Sequence, residues 1–213
     1  RVGGRPAAWL RVPVSQGRVR GVSIVDALAA QVAADGGSEG DWPARLGPAD
    51  GASEVEPGRP LPSMTVAVCT RDRPEDLRRC LEGLQRLADV GQEVLVVDSA
   101  SEGGETRRVA EGYAGVRYVR VERPGLNVAR NAALAAASGE VVAFIDDDAV
   151  PDGNWVNAHR AAFGDALTLV STGLTLPLEL ETPAQEQFEA FSPFSRGFTP
   201  RVYDLRNMNP LTA

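Results

Sequence analysis

The chain has 213 residues, 43% of them hydrophobic, and a formal net charge of -7, which describes ordinary globular material and excludes a basic nucleic-acid-binding stripe. All 22 basic residues are Arg, so a Walker-type phosphate loop, a Schiff-base lysine and a lysine general base are excluded as well. No signal peptide and no apolar run of membrane-spanning length is present in the sequence.

Residues 1–34 read as a small N-terminal arm, with short strands over 9–12 and 19–22 and a helix capped by Ser23. Residues 35–63 are rich in Gly, Pro, Ser, Asp and Glu and read as a linker. Asp35, Glu39, Asp41, Asp50, Glu54 and Glu56 against Arg45 concentrate most of the net charge there. From Met64 to the end at 213 the pattern changes to strand-helix alternation. Strands are expected over 65–69, 93–98, 116–121 and 141–145, with a further apolar strand over 166–176. Between them fall a helix opening at Pro74, with Leu77, Cys80, Leu81, Leu84 and Leu87 on one face, and a shorter one carrying Thr106, Val109, Ala110 and Tyr113. An Ala-rich helix over 126–138 is expected to close on Gly139 as a left-handed cap, and another helix covers 155–163. The expected fold is α/β, a mostly parallel sheet with helices on both faces. Cys69 and Cys80 read as buried free thiols, which fits a reducing compartment.

The most informative stretch is Val141-Val142-Ala143-Phe144-Ile145-Asp146-Asp147-Asp148. Five apolar residues without polar alternation indicate a strand buried on both faces, and the run ends in three carboxylates. Alternation along a strand sends Asp146 and Asp148 to one side and Asp147 to the other. Crowded carboxylates repel one another, and a divalent cation with oxygen ligands, Mg2+ or Mn2+, resolves that repulsion while leaving positions for phosphate oxygens. Capping of the next helix competes as an explanation, but Asp152 is better placed for it. An EF-hand loop fails because Val150 stands where an oxygen ligand is required.

The first strand-helix turn, Cys69-Thr70-Arg71-Asp72-Arg73, contains no Gly, which argues against a dinucleotide-binding fold and hydride chemistry. Asp98 ends the second strand, where it can accept the imide or amino hydrogens of a base or cap its own turn through Ser99 or Ser101. Asn127, Arg130 and Asn131 share one face of the first turns after Gly125, where they can meet a ligand or remain solvated.

Taken together, 66–74, Val96-Val97-Asp98, 125–131 and Phe144-Ile145-Asp146-Asp147-Asp148 stand in the order seen in family 2 glycosyltransferases, and from about 64 to 205 the chain resembles that family. The resemblance implies a GT-A fold and the donor-binding half of a bacterial enzyme. It implies a nucleoside-diphosphate-sugar donor, UDP- or GDP-linked, and inverting transfer to an acceptor hydroxyl that the sequence does not identify. It implies that Thr70 and Arg71 border the base and that Asp98 hydrogen-bonds it. Arg130 would lie in the base-and-phosphate pocket, with Asn127 beside it. The triple Asp matches a DxD-type motif, with Asp146 and Asp147 toward the nucleotide sugar and Asp146 and Asp148 toward the metal. Many relatives carry an aromatic residue where Arg71 stands, and a guanidinium plane can stack on a base in its place. The implied setting is cytoplasmic, including the inner face of the membrane.

Inverting relatives carry a further acidic motif downstream, and no general base is assigned here. Glu179, Glu181, Glu186 and Glu189 read as a solvated, helical stretch, and His159 as structural. The domain over 64–213 is expected to be truncated at its C-terminus, and so to bind donor while transferring sugar poorly. Two alternatives stand beside this: a non-catalytic nucleotide-sugar-binding module or fragment, and a nucleotidyltransferase of the same fold, whose Gly-rich loop the chain does not show.

Overall fold

A computed structural model describes residues 60–87, 89–192 and 202–203. The expectations for the arm, for the linker as far as residue 59 and for the chain after 203 lie outside the described residues. The chain divides into two compact units, one of Glu54–Gly173 and one of Arg1–Ser53 with Leu174–Ala213.

The first unit alternates β1 (Met64–Thr70), α1 (Pro74–Gln85), β2 (Glu93–Ser99), α2 (Glu105–Glu111), β3 (Val116–Val121), α3 (Leu126–Ala136), β4 (Val141–Asp146) and α4 (Trp155–Ala162). The four strands form one parallel sheet in the order β3-β2-β1-β4. β1 and β2 are central and covered on both faces, which is why they read as unbroken apolar runs. Val66, Val68, Val94 and Val96 pack against Leu77, Cys80, Leu81 and Leu84 of α1 and Val109 and Ala110 of α2. Ala67, Leu95 and Val97, one residue out of phase, pack against Ala129 and Ala133 of α3. The α/β fold with a parallel sheet is therefore present as expected. In β3 the exposed Arg117 and Arg120 break the apolar run, as suits a strand at the sheet's margin.

Three expectations are corrected. The strand expected to be buried on both faces, β4, lies at the margin of the sheet with none of its residues buried and Phe144 37% exposed. The helix expected to reach 138 stops at Ala136, and Ala137 is already extended, with φ -60° and ψ 141°. Gly139 does not adopt positive φ. A Cβ there would lie 2.6 Å from Thr65 N and 2.7 Å from Met64 C, so the residue serves close backbone approach to β1 instead of a left-handed cap. Residues 166–176, expected as a strand, form none. Apolar composition alone does not make a strand: 166–176 pairs with neither edge strand of the sheet, and Leu167, Leu169 and Val170 stay 85%, 88% and 76% exposed.

At the N-terminal edge of the sheet Glu93 joins three segments. It accepts hydrogen bonds from Thr65 Oγ1 (2.6 Å), Ser138 N (2.9 Å), Ser138 Oγ (2.8 Å) and Arg117 Nη1 (2.6 Å). Burial alone would raise its pKa, but the bonds from Thr65 and Ser138 and the charge of Arg117 outweigh it and hold the carboxyl below its ordinary value. A folded-state pKa below the unfolded one contributes stability that is complete above the unfolded pKa and disappears as pH falls through the folded one. Glu93→Gln should cost about 1–2 kcal/mol at neutral pH. Urea unfolding at pH 7 and in acid should show the gap between wild type and variant closing as pH falls; a gap that persists below the carboxylate range would contradict this role.

Candidate functional site

The strand order reverses between β1 and β4. The chain leaves β1 toward β2 and β3, then returns through α3 to the other side of β1. Such a switch point opens a crevice at the C-terminal strand ends. Here the crevice is bounded by the β1–α1 loop and the three carboxylates, with Cys69 in register with Asp146 and Thr70 with Asp98.

The three carboxylates have different environments. Asp146 and Asp148 are exposed, whereas Asp147 between them is 5% exposed. Asp147 accepts hydrogen bonds from Thr70 Oγ1 (2.7 Å) and Arg73 Nη1 (2.8 Å). Burial pushes its pKa up, opposed by the Thr70 bond and the Arg73 charge. Arg73 Nη2 donates to Asp148 Oδ2 at 3.0 Å, and its Nε donates to Asp76 Oδ2 at 3.0 Å. The cation that relieves the crowding is thus in part supplied by the chain itself. Sequence reasoning missed it because Arg73 and Asp147 are 74 positions apart and meet only through the β1–β4 pairing.

Asp98 is 1% exposed and engaged on both oxygens. Its Oδ1 accepts Ser101 N–H at 2.8 Å, and its Oδ2 accepts Tyr118 O–H at 2.6 Å and Arg120 Nη1 at 3.4 Å. Burial, and then the bond to Asp98, push Tyr118 up to about 12, so the phenol stays a donor. Of the two roles weighed for Asp98, the turn cap through Ser101 is the one formed. Asp72, in the left-handed region at φ 53°, links this turn to the first loop. Its N–H donates to Ser101 Oγ (2.9 Å), and its Oδ1 accepts Glu102 N–H (2.6 Å).

Around these fixed groups stand the free-facing ones. Arg71 is exposed, with Nε 3.3 Å from Asp72 Oδ2. Gly125, at φ 143°, opens α3, and its N–H donates to Ser99 Oγ at 2.9 Å, which ties the helix start to the end of β2. Asn127 is exposed on the first turn of α3. Arg130 is half-buried, its guanidinium 5.9 Å above the ring of Phe144. Phe144 and Asp146, two residues apart on β4, share that face. Thr70, Asp147 and Asp148 are therefore brought together with Arg73, and the expected separation of Asp148 from Asp147 is not kept, because β4 ends at Asp146 and both residues lie in the turn after it. Arg130 stands beside Phe144, while Thr70, Asp98 and Asp147 are closed to solvent.

Among the described residues no group of three or more His, Cys, Asp or Glu side chains is arranged to hold a metal. Asp146 and Asp148 nevertheless offer two exposed hard oxygen donors. Mg2+-type sites commonly use one or two carboxylates and complete their shell with phosphates and water, so the donor set fits a cation that arrives with a diphosphate.

Other expected features fall as follows. Cys80 is buried and Cys69 half-buried; both are free, and burial pushes both thiols up, Cys80 to about 12. His159 shares a 2.9 Å hydrogen bond between Nδ1 and Ser171 Oγ and meets Trp155 edge-on at 5.0 Å, a packing role. In the second unit, α5 (Pro183–Phe191) opens with a capping box between Thr182 and Gln185. Glu179, Glu181 and Glu186 are exposed there, and Glu189 Oε2 is buried without a hydrogen-bond partner. No helix among the described residues is long and apolar enough to cross a membrane.

Comparison with known proteins gives a consistent result. The chain is 26% identical over 139 residues to glycosyltransferase AglE of Haloferax volcanii, covering 62% of this chain and 46% of that protein. It is 30% identical over 98 residues to the succinoglycan biosynthesis protein ExoM of Rhizobium meliloti, covering 43% and 31%. The chain spans less than half the length of the curated relatives it matches. Among solved structures, the mannosyltransferase PcManGT of Pyrobaculum calidifontis, in complex with GDP-Man and Mn2+, matches 66% of this chain and 43% of its own at 29% identity and a TM-score of 0.46. TarS of S. aureus, residues 1–349 with UDP-GlcNAc, matches 45% and 29% at 26% identity and a TM-score of 0.42. The glycosyl transferase family 2 model matches residues 65–196, more than half the chain and all of the site just described, and the chain belongs to that family.

Proposed function

We propose that the crevice at the C-terminal edge of the sheet binds a nucleoside-diphosphate sugar, UDP- or GDP-linked, for transfer of the sugar to an acceptor hydroxyl with inversion at the anomeric carbon. The observation that carries the reading is the pair of exposed carboxylates, Asp146 and Asp148, at the β1–β4 switch point of a chain of this family. A divalent cation held by that pair, Mg2+ or Mn2+, would supply Lewis-acid neutralisation of the departing diphosphate. Arg130 adds a permanent positive charge on the Asp146 side, which favours charge developing on the phosphate oxygens. The α3 N-terminus, whose cap makes no side-chain hydrogen bond, presents backbone N–H groups and Asn127 toward an anion. Arg71, exposed and paired with its neighbour Asp72, offers a guanidinium plane for the base to stack on. Thr70, Asp98 and Asp147 support this surface from beneath, with Asp98 Oδ2 shared by Tyr118 and Arg120 and its Oδ1 bonded by Ser101 N–H alone.

Donor cleavage tests the reading. Incubation with UDP- and GDP-sugars and Mn2+ should release nucleoside diphosphate above the buffer rate, and chelation should stop it. Release from no donor of either kind, with or without a panel of hydroxyl acceptors, would count against it.

A further inference from the structure

We infer that Arg73 is the positioning residue of the strand-end carboxylates and that Asp147 is its anchor. The inference rests on the proposed nucleotide-sugar site and deepens it. The Arg73 guanidinium uses three nitrogens on three carboxylates: Nε on Asp76 (3.0 Å), Nη1 on Asp147 (2.8 Å) and Nη2 on Asp148 (3.0 Å). Two of these contacts fix the fork. Asp147 is buried and held from the other side by Thr70 Oγ1, and Asp76 belongs to the first turn of α1, where Arg79 also bonds it at 2.9 Å. The third contact then sets the direction of Asp148, the exposed member. A contact path runs from Thr70 at the end of β1 through Asp147 and Arg73 to Asp148, and it engages Oδ2 of Asp148 while leaving Oδ1 for a cation.

A positive side chain beside a cation site would ordinarily weaken that site. Here the charge is already offset, because Arg73 and Arg79 are matched by Asp76 and Asp147. Asp146 and Asp148 then outweigh Arg130 on the Asp146 side and leave the cluster with net negative charge. What Arg73 then contributes is orientation, as partners hydrogen-bonded to ligating carboxylates do. Lys cannot replace it, since an ammonium lacks the planar fork that reaches three acceptors in fixed directions.

The test is Mn2+ titration of the full chain, followed by the spin-resonance signal of free Mn2+, with UDP or GDP present. Arg73→Lys should weaken Mn2+ affinity by about 10–100-fold. Asp147→Asn, which keeps the shape of the anchor but halves its acceptors, should move it in the same direction. Arg86→Lys, at the far end of α1 where Arg86 pairs with Glu82 at 3.9 Å, should stay within about twofold of wild type on the same reasoning. Thermal unfolding of each variant separates this from a folding role, which would shift the midpoint and leave the affinity of folded protein unchanged. If Arg73→Lys does not fold, Arg73→Gln serves in its place. Wild-type affinity in a folded Arg73 variant would overturn the inference alone. Failure of the wild-type chain to take up Mn2+ with either nucleotide would overturn the proposed function and this inference with it.

Discussion

Asp148→Ala is expected to abolish the metal-dependent part of nucleotide affinity and leave the fold intact. Asp148 is an exposed carboxylate at the switch point, and its removal leaves Asp146 as the only exposed carboxylate of the three. Losing a direct ligand should exceed the roughly 10–100-fold effect of disturbing partners around a metal. Stability should barely change. Arg73 keeps Asp147 and Asp76, and the pair that is lost is a solvent-exposed one, worth about 0–1 kcal/mol. Calorimetric titration with UDP and GDP, with Mn2+ and with chelator, checks the effect. A chelator-sensitive affinity equal to that of wild type would remove Asp148 from the site.

Gly139→Ala should produce the largest loss of stability at a single small substitution. The added Cβ would meet backbone atoms, Thr65 N at 2.6 Å and Met64 C at 2.7 Å, and backbone of a central strand cannot rotate aside as a side chain can. Gly139 N–H also donates to Thr65 Oγ1 at 2.9 Å, so a shift that relieves the clash strains this bond too. Overpacking typically costs about 1–3 kcal/mol, and a backbone contact belongs at the upper end. For a chain of this size about 3 kcal/mol lowers the melting midpoint by roughly 6–12 °C. Gly153→Ala, whose Cβ would meet nothing within 4 Å, is the control and should leave the midpoint unchanged. Because Gly139 lies at the edge of the sheet away from the site, folded Gly139→Ala should retain nucleotide affinity. A midpoint equal to that of wild type would show that the β1–β4 approach is looser than the distances state.

The spans of all four strands were legible in the sequence as β-branched runs, but only β1 and β2 are the buried parallel strands that such unbroken apolar runs usually indicate. β3 matches its expected span of 116–121, and β1, β2 and β4 differ by a residue at one or both ends. Where pairing decides, composition misleads: 166–176 is as apolar as a strand, but nothing in its residues states whether it joins an edge of the sheet, and it joins neither β3 nor β4. Gly139 shows a related limit. A glycine after a helix serves a left-handed cap or a close approach equally well, and only the strand that passes beside it distinguishes them. The site divides along the same line. The carboxylate run was legible as the end of a strand, but the alternation expected of it is not kept, because β4 ends at Asp146 and Asp147 and Asp148 lie in the turn that follows, both on Arg73. Arg73, and the closure of Asp98 by Tyr118 and Arg120, depend on which strands are neighbours, and strand order is not written locally.

The most direct measurement on the central claim is a binding titration of the 213-residue chain with UDP and GDP, with uridine and guanosine as controls. The expected result is saturable binding of at least one diphosphate in Mn2+, lost on chelation, with its nucleoside binding far more weakly because it brings no phosphates to the Asp146 and Asp148 pair. Absence of saturable binding by either diphosphate in Mn2+, or binding indifferent to chelator and to the diphosphate, would contradict a metal-assisted nucleotide-sugar site at the end of β4.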